Sequence, residues 1–136
     1  MRCRRYARHV KILRPAAILA FVIDVVLVGV FVIIGRVSHK EALTAVGILT
    51  TFWPFAAALI LAWAITRNWR SPYRVLWSGV SLWILTVILG MVFRVIGSQD
   101  VAISFAIVAL IVLGVFLLGW RVIARLLTRG RRGSRG

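Results

Sequence analysis

Asp24 is the one charged residue in a long apolar run that extends from Pro15 to Gly35. An ionised carboxylate in apolar surroundings is stable only beside a partner, in a polar cavity or in contact with water. Asp24 therefore has two interpretations. It is a candidate intramembrane proton or cation site, or it is a structural carboxylate that accepts hydrogen bonds from a Ser or Thr of another segment.

A second group of polar residues, Arg36, His39 and Arg94, is predicted to form a cluster at the outer rim, where the apolar runs end. Guanidinium groups at such a mouth attract anions, and histidine is the residue type that changes charge most readily near neutral pH. The structural alternatives are an arginine head that reaches interfacial water at Arg94 and a helix cap over residues 38–41. An ion pair between Asp24 and Arg94 is not expected, because the helix rise separates them by about 15 Å in depth.

The sequence shows no other constellation typical of catalysis or cofactor binding. No Ser, His and Asp set falls at one depth, no His or carboxylate cluster has metal-ligand spacing, and no glycine-rich phosphate loop is present. The single cysteine, Cys3, allows neither an internal disulfide nor a cysteine-based metal site. We therefore expect no enzyme activity, no cofactor and no metal.

The composition indicates a membrane protein. The chain has 136 residues, of which 62% are hydrophobic and three are acidic, and its formal net charge is +15. Its mean hydropathy is +0.99. Soluble domains are about half apolar and about a quarter charged, so this composition excludes an ordinary globular enzyme and a disordered chain.

Four apolar runs are long enough to cross the hydrocarbon core of a bilayer, which requires about 20 helical residues. Their predicted bounds are 15–35, 43–66, 73–95 and 101–120. Short connections force neighbouring helices to run antiparallel. The predicted fold class is all-α, an integral membrane four-helix bundle in up-down-up-down order.

Local sequence also predicts helix starts and one helix irregularity. Residues 38–41 have the pattern of a capping box before the second helix, and the Ser-Pro pair at 71–72 is typical of the start of the third. Pro54 lacks a backbone N–H, so it is expected to kink the second helix and to free the carbonyl of Thr50. The hydroxyl of Thr50 or Thr51 can satisfy the freed groups.

Lys and Arg are distributed unevenly between the two sides of the predicted bundle. Of the 18 basic residues, only Arg36, Lys40 and Arg94 fall on one side, and the rest lie in the two terminal segments and the second connection. Positive residues accumulate in cytoplasmic segments. Both termini are therefore expected in the cytoplasm, with the bundle in the plasma membrane.

The chain is accordingly divided into a basic cytoplasmic tail over 1–14, the membrane bundle over 15–120 and a basic amphipathic tail over 121–136. In the last segment, arginines recur every four residues between apolar side chains. Such a helix lies on the membrane surface, where each basic side chain gains about 1 kcal/mol from anionic lipid. Because insertion and lipid binding account for the charge, no nucleic-acid partner is expected.

Several short motifs occur together between Ala17 and Arg121. They are Asp24 in the run DVVLVGVFVIIGR, the turn with Gly35, Arg36, Ser38 and His39, the triplet Trp53, Pro54 and Phe55, then Gly90, Met91, Arg94 and Gly97, and finally Ser104, Phe105, Gly119, Trp120 and Arg121. This stretch resembles the bacterial integral-membrane family catalogued as domain of unknown function 3054, found widely in actinobacteria. The resemblance implies a four-helix membrane protein with no assigned activity. The positions that match the family pattern are Asp24, Arg36, His39, Pro54, Arg94 and Trp120.

Two functions are compatible with these features. The first is association with small-solute or ion transport, in which Asp24 binds a proton or cation and the rim guides the solute. Four helices hardly enclose a path, so this function implies a homo-oligomer. The alternative is a non-catalytic structural or regulatory partner of a larger membrane complex. A polar cavity at Asp24 would favour transport, whereas a dry, hydrogen-bonded carboxylate would favour the structural alternative.

Overall fold

The computed structural model describes residues 15–72 and 74–133. The predicted basic tail over 1–14, including Cys3, lies outside the described residues. Position 73, where the sequence predicts the start of the third span, and the last residues, 134–136, also lie outside them.

Four long helices account for most of the described residues: α1 (Pro15–Ser38), α2 (Ala45–Thr66), α3 (Val80–Ile96) and α4 (Ile103–Gly133). A short 3-10 turn, Asn68–Arg70, follows α2, and a wider π-helical turn, Val75–Gly79, leads directly into α3. With that turn included in the third, all four helices are long and apolar enough to cross a membrane. The chain is a four-span membrane protein, as its hydropathy predicts.

The starts of the second and third helices differ from the prediction. The hydroxyl of Thr44, rather than that of Ser38, caps α2 by accepting a hydrogen bond from the Gly47 N–H at 3.1 Å. Residue 38 is instead the end of α1, because the first helix continues for three residues beyond the predicted bound. At the third helix, the first turn closes with a bond from the Gly79 N–H to the Arg74 carbonyl at 2.9 Å, so the Ser-Pro pair at 71–72 is not its cap.

The helices pack as an antiparallel ring in which each helix contacts its neighbours in sequence and α4 closes against α1. Two contacts fix the direction of α4 relative to the third helix: Arg121 lies against Gly79 at its start, and Phe105 lies against Arg94 near its end. In the same way, Gly90 contacts Phe55 and the later Gln99 contacts the earlier Thr50, so α2 and α3 run in opposite directions. We call the end formed by residues 39–44 and 97–102 the rim, and the end formed by the start of α1, residues 67–72 and Arg74 the base.

An aromatic cluster fills the interior between the middle of the bundle and the rim. The rings of Phe31 and Phe55 meet edge to face with centroids 5.2 Å apart, and Phe105 lies against both at about 6 Å. Gly90 permits this packing, because a Cβ at that position would lie 2.6 Å from the Phe55 ring. The outward faces carry exposed apolar side chains such as Leu19, as expected of surfaces that contact lipid.

Pro54 lies inside α2, where it leaves the carbonyl of Thr50 without a helical N–H donor. The side-chain amide of Gln99 donates to this carbonyl at 2.8 Å, from the connection between α3 and α4. The hydroxyls of Thr50 and Thr51 bond to earlier carbonyls of their own helix instead. The expected partner of the freed carbonyl was therefore wrong, and the kink at Pro54 stays a prediction.

Candidate functional site

Asp24 lies at the centre of a buried polar cluster, which we call the base cluster and which comprises Asp24, Trp63, Trp120 and Arg121. One carboxylate oxygen, Oδ2, accepts hydrogen bonds from the Trp63 indole at 2.9 Å and from Nη2 of Arg121 at 2.7 Å. The other, Oδ1, accepts from the Trp120 indole and from Nη1 of Arg121, both at 2.8 Å. Four donors therefore surround a carboxylate that is 0% exposed.

All three nitrogen atoms of the Arg121 guanidinium donate hydrogen bonds within the protein. Its Nε donates to the carbonyl of Pro72 at 3.1 Å, and Nη1 donates also to the carbonyl of Leu117 at 2.8 Å. Its Cζ lies 4.6 Å from the centre of the Trp120 ring. Gly79 leaves room for the side chain, since a Cβ there would lie 3.3 Å from Cδ of Arg121. The pair thus joins α1 and α4 to the connection that precedes α3.

At the centre of the base cluster, Asp24 and Arg121 form a bidentate ion pair that is surrounded by a buried apolar core. Val28, Leu59 and Leu113 of the surrounding core are each 0% exposed, as are both members of the pair. A carboxylate with four donors and no exposed surface has no free lone pair directed at a cavity. In this conformation the arrangement fixes the positions of the helices that supply its residues.

Arg36 dominates the polar cluster at the rim. Its Nη1 lies 2.7 Å from a carboxylate oxygen of Glu41 and donates to the Thr51 hydroxyl at 3.0 Å. Its Nε and Nη2 donate to the carbonyl of Ala42, the latter at 2.7 Å. Gly47 makes this possible, because a Cβ there would overlap the guanidinium. Arg36 therefore ties the end of α1 to the start of α2, and Glu41 serves as its counter-ion rather than as part of a helix cap.

Arg94 approaches the same space from the end of α3. Its Nε and Nη2 donate to the backbone carbonyl of Asp100 at 3.3 and 2.8 Å, and its Cζ lies 4.4 Å from the centre of the Phe105 ring. Both contacts hold the guanidinium without neutralising it. His39 is exposed at the edge of this cluster.

A cavity of about 370 Å³ opens between these rim residues. The three predicted rim residues line it together with Gln99 and Asp100, and Phe31 and Phe105 form its apolar wall. The structure thus brings Arg36, His39 and Arg94 to one cavity, as predicted. Asp24 is not among its lining residues.

One protein family matches this chain: the family described as "Protein of unknown function (DUF3054)" matches residues 21–124, more than half of the chain. The chain belongs to this family. The matched region includes the whole base cluster and every rim residue named above. No curated protein and no solved structure matches the chain.

Within this DUF3054 chain, the sequence predicted that Asp24 needs a partner but not which residues supply it. Ala17, Ala20, Val28 and Phe31 are buried on the same side of α1 as Asp24. The expected Ser or Thr donor was wrong, because two indoles and an arginine supply all four bonds. As predicted, Asp24 does not pair with Arg94, since its ionic partner is Arg121.

Arg121 is the functional residue that the sequence prediction missed. It was assigned to the cytoplasmic tail with the arginines that follow it, yet it is 0% exposed and belongs to the bundle. The helix contains no break at this point, because α4 continues to Gly133. The available signal was its position directly after Trp120, on the same helix face as Leu117, which lies one turn earlier and is also buried.

Proposed function

We propose that this protein is a non-catalytic structural or regulatory partner within a larger membrane complex, and that its own bundle does not conduct. The observation that supports this proposal is the saturation of the Asp24 carboxylate by four donors in a closed interior. A protein with a sealed core acts through its surface rather than through a path between its helices.

The energetics of a buried ion pair support a structural role for Asp24. Removing one member leaves an uncompensated charge and costs about 3–5 kcal/mol, whereas replacing both members is often close to neutral. Each single variant should therefore lose stability, and the double variant should lose less stability than the sum of the two single losses. A proton carrier has no such requirement, because it must exist in both charge states.

The test is a double-mutant cycle between Asp24→Asn and Arg121→Gln, with the free energy of unfolding measured in detergent micelles. Each single variant is expected to lose about 3–5 kcal/mol, and the double variant to lose less than the sum by at least about 1 kcal/mol. Matched controls are Asp100→Asn and Arg125→Gln, which alter exposed residues of the same types. Each control should change stability by no more than about 0.5 kcal/mol.

Measurement of proton and cation flux into proteoliposomes is an independent test of the same proposal. The wild-type protein is expected to give the flux of protein-free liposomes under an imposed pH or cation gradient. A wild-type flux above that level, lost in a variant Asp24→Asn that remains folded, would contradict the structural role and favour transport.

Association with solute transport remains the second candidate, and the rim cavity is the observation that favours it. In this function a solute would enter at Arg36, His39 and Arg94, and Asp24 would bind a proton or cation after the base cluster opened. Because the single bundle is closed, the path would have to lie between copies in a homo-oligomer. The flux measurement above separates this candidate from the first.

We further propose the plasma membrane of a bacterial cell as its location, with both termini in the cytoplasm. The distribution of Lys and Arg supports this orientation, because the rim has few basic residues and the base has many. On that side, the exposed residues Arg125 and Arg129 of α4 are positioned to contact anionic lipid headgroups. This lipid contact accounts for the basic end of the chain without a nucleic-acid partner.

A further inference from the structure

The two arginines of the rim cavity differ in how far their charge is satisfied. Arg36 is paired with Glu41, uses all three of its nitrogen atoms in contacts within the protein and keeps only 12% of its side chain exposed. Arg94 lies within 4.0 Å of no carboxylate oxygen among residues 15–72 and 74–133. The cavity therefore contains one guanidinium in a direct ion pair and one, that of Arg94, whose neighbouring carboxylates, Glu41 and Asp100, lie beyond ion-pair distance.

Arg94 is also held in a fixed orientation. Its Nε and Nη2 donate to one backbone carbonyl, and its Cζ lies over the Phe105 ring. Among residues 15–72 and 74–133, Nη1 has no hydrogen-bond acceptor. A fixed guanidinium with free N–H groups is the arrangement that proteins use to bind a carboxylate or phosphate oxygen.

The size and walls of the cavity restrict the ligand further. A volume of about 370 Å³ suits a small organic molecule, since ligand pockets begin at about 300 Å³. Phe31 and Phe105 offer an apolar wall, whereas the carboxylates of Glu41 and Asp100 at the mouth disfavour ligands with several negative charges. The best fit is one negative charge on an apolar body.

We propose that the rim cavity binds a small organic monoanion, with its anionic group on Arg94 and its apolar part against Phe31 and Phe105. This site is separate from the base cluster, and it does not depend on whether the bundle conducts. The monoanion can reach the cavity from water as a free carboxylate or from the membrane as the phosphate of a lipid headgroup. The shared chemistry is a single negative charge beside an apolar group.

The experiment measures binding of benzoate to the full-length protein by titration calorimetry in zwitterionic detergent at constant ionic strength. Benzamide has the same shape without the charge, so it is expected to bind at least about tenfold more weakly. Arg94→Gln should weaken benzoate binding by about tenfold or more. The matched control is Lys40→Gln, which removes an exposed rim charge outside the cavity lining and should change the affinity less than about twofold.

A second variant keeps the test decisive if the Arg94 variant fails to fold. Asp100→Asn removes a negative charge at the mouth and is expected to strengthen benzoate binding by about threefold. Equal binding of benzoate and benzamide would overturn the proposal. So would unchanged binding in a folded Arg94→Gln protein, or weaker binding in Asp100→Asn.

The source of the anion is distinguished by repeating the titration in lipid nanodiscs. One set contains an uncharged glycolipid that lacks phosphate, and the other contains the same glycolipid with phosphatidylglycerol. Equal benzoate affinity in both sets supports a water-borne carboxylate. A benzoate affinity at least about tenfold lower with phosphatidylglycerol, absent in Arg94→Gln, supports the same site occupied by a lipid phosphate.

Discussion

At the residue scale, the direction of a side chain decides which charges meet in the base cluster. Side chains of a helix lean toward its N-terminus. The helices α1 and α4 run in opposite directions, so Asp24 leans toward the base and Arg121 leans toward the rim. The two groups therefore converge, although Asp24 lies about 14 Å along α1 and Arg121 lies close to the base. The backbone depths of Asp24 and Arg121 alone therefore do not predict that their side chains pair.

Two tryptophan indoles, one with a charged acceptor and one with a neutral acceptor, predict a measurable difference in the stability lost when each indole donor is removed. Trp63→Phe removes the donor to the Asp24 carboxylate and is expected to destabilise the protein by about 1.5–3 kcal/mol, in addition to the loss of ring volume. Trp83→Phe is the matched control, because its indole donates to the neutral carbonyl of Leu110 at 2.8 Å. Its hydrogen-bond contribution should be about 1 kcal/mol.

Unfolding of both variants in detergent micelles measures this difference. If Trp63→Phe costs no more than Trp83→Phe, the Asp24 carboxylate does not depend on its indole donor. The structural role of the base cluster would then rest on Arg121 and Trp120.

At the element scale, small residues set how closely the helices approach. Gly90 faces the Phe55 ring at the contact of α3 with α2, and Gly114 leaves room for Trp83 at the contact of α4 with α3. Glycines at helix contacts let backbones approach closely, which is the main source of attraction between helices in lipid. The ring of four helices therefore depends on a few positions that lack a side chain.

Gly90→Ala tests this dependence. The added Cβ would lie 2.6 Å from the buried Phe55 ring, so α2 and α3 must separate, at a cost of about 1–3 kcal/mol. Gly119→Ala is the matched control, because nothing lies within 4 Å of the position of its Cβ. Since alanine favours a helix by about 1 kcal/mol over glycine, this control should be neutral or stabilising.

Thermal unfolding of the two variants in the same detergent provides the comparison. Equal midpoints for Gly90→Ala and the wild type would mean that the contact of α2 with α3 tolerates an added methyl group. The close packing at Phe55 would then not limit the stability of the bundle.

At the scale of the whole molecule, the polar chemistry is divided between the two ends of an apolar ring. In the base cluster the buried charges of Asp24 and Arg121 pair with each other, whereas the rim cavity is open and includes Arg94, which has no direct ion pair. Three aromatic rings, those of Phe31, Phe55 and Phe105, separate the two regions. The base therefore suits a structural role, and the rim suits ligand binding from one side of the membrane.

The proposed orientation predicts which end is accessible from outside an intact cell. In a Cys3→Ser background, Ser98→Cys at the rim should react with a membrane-impermeant maleimide added to intact cells. Thr128→Cys, at the opposite end of α4, should react only after the cells are opened. Both side chains are exposed, so accessibility to the reagent depends on the side of the membrane. Labelling in the reverse pattern would place the termini outside.

Features that depend on a short stretch of chain could be predicted from the sequence. A helix forms a span wherever about 20 apolar residues follow one another, and short connections make neighbouring spans antiparallel. The four spans and the grouping of Arg36, His39 and Arg94 follow from these local rules. The Thr44 cap was missed because several residues before α2 offered the same capping chemistry.

Only the tertiary structure decided how the polar groups were satisfied. The pairing of Asp24 with Arg121, the two indole donors and the bond from Gln99 to the carbonyl freed by Pro54 all join distant parts of the chain. Such pairs depend on the rotation of each helix about its axis and on the direction of its side chains. Hydropathy does not define the rotation of a helix or the direction of a side chain precisely enough to predict which groups form a hydrogen bond. The sequence therefore determined that Asp24 needs a partner, and the packing of α4 against α1 determined that Arg121 is its ionic partner.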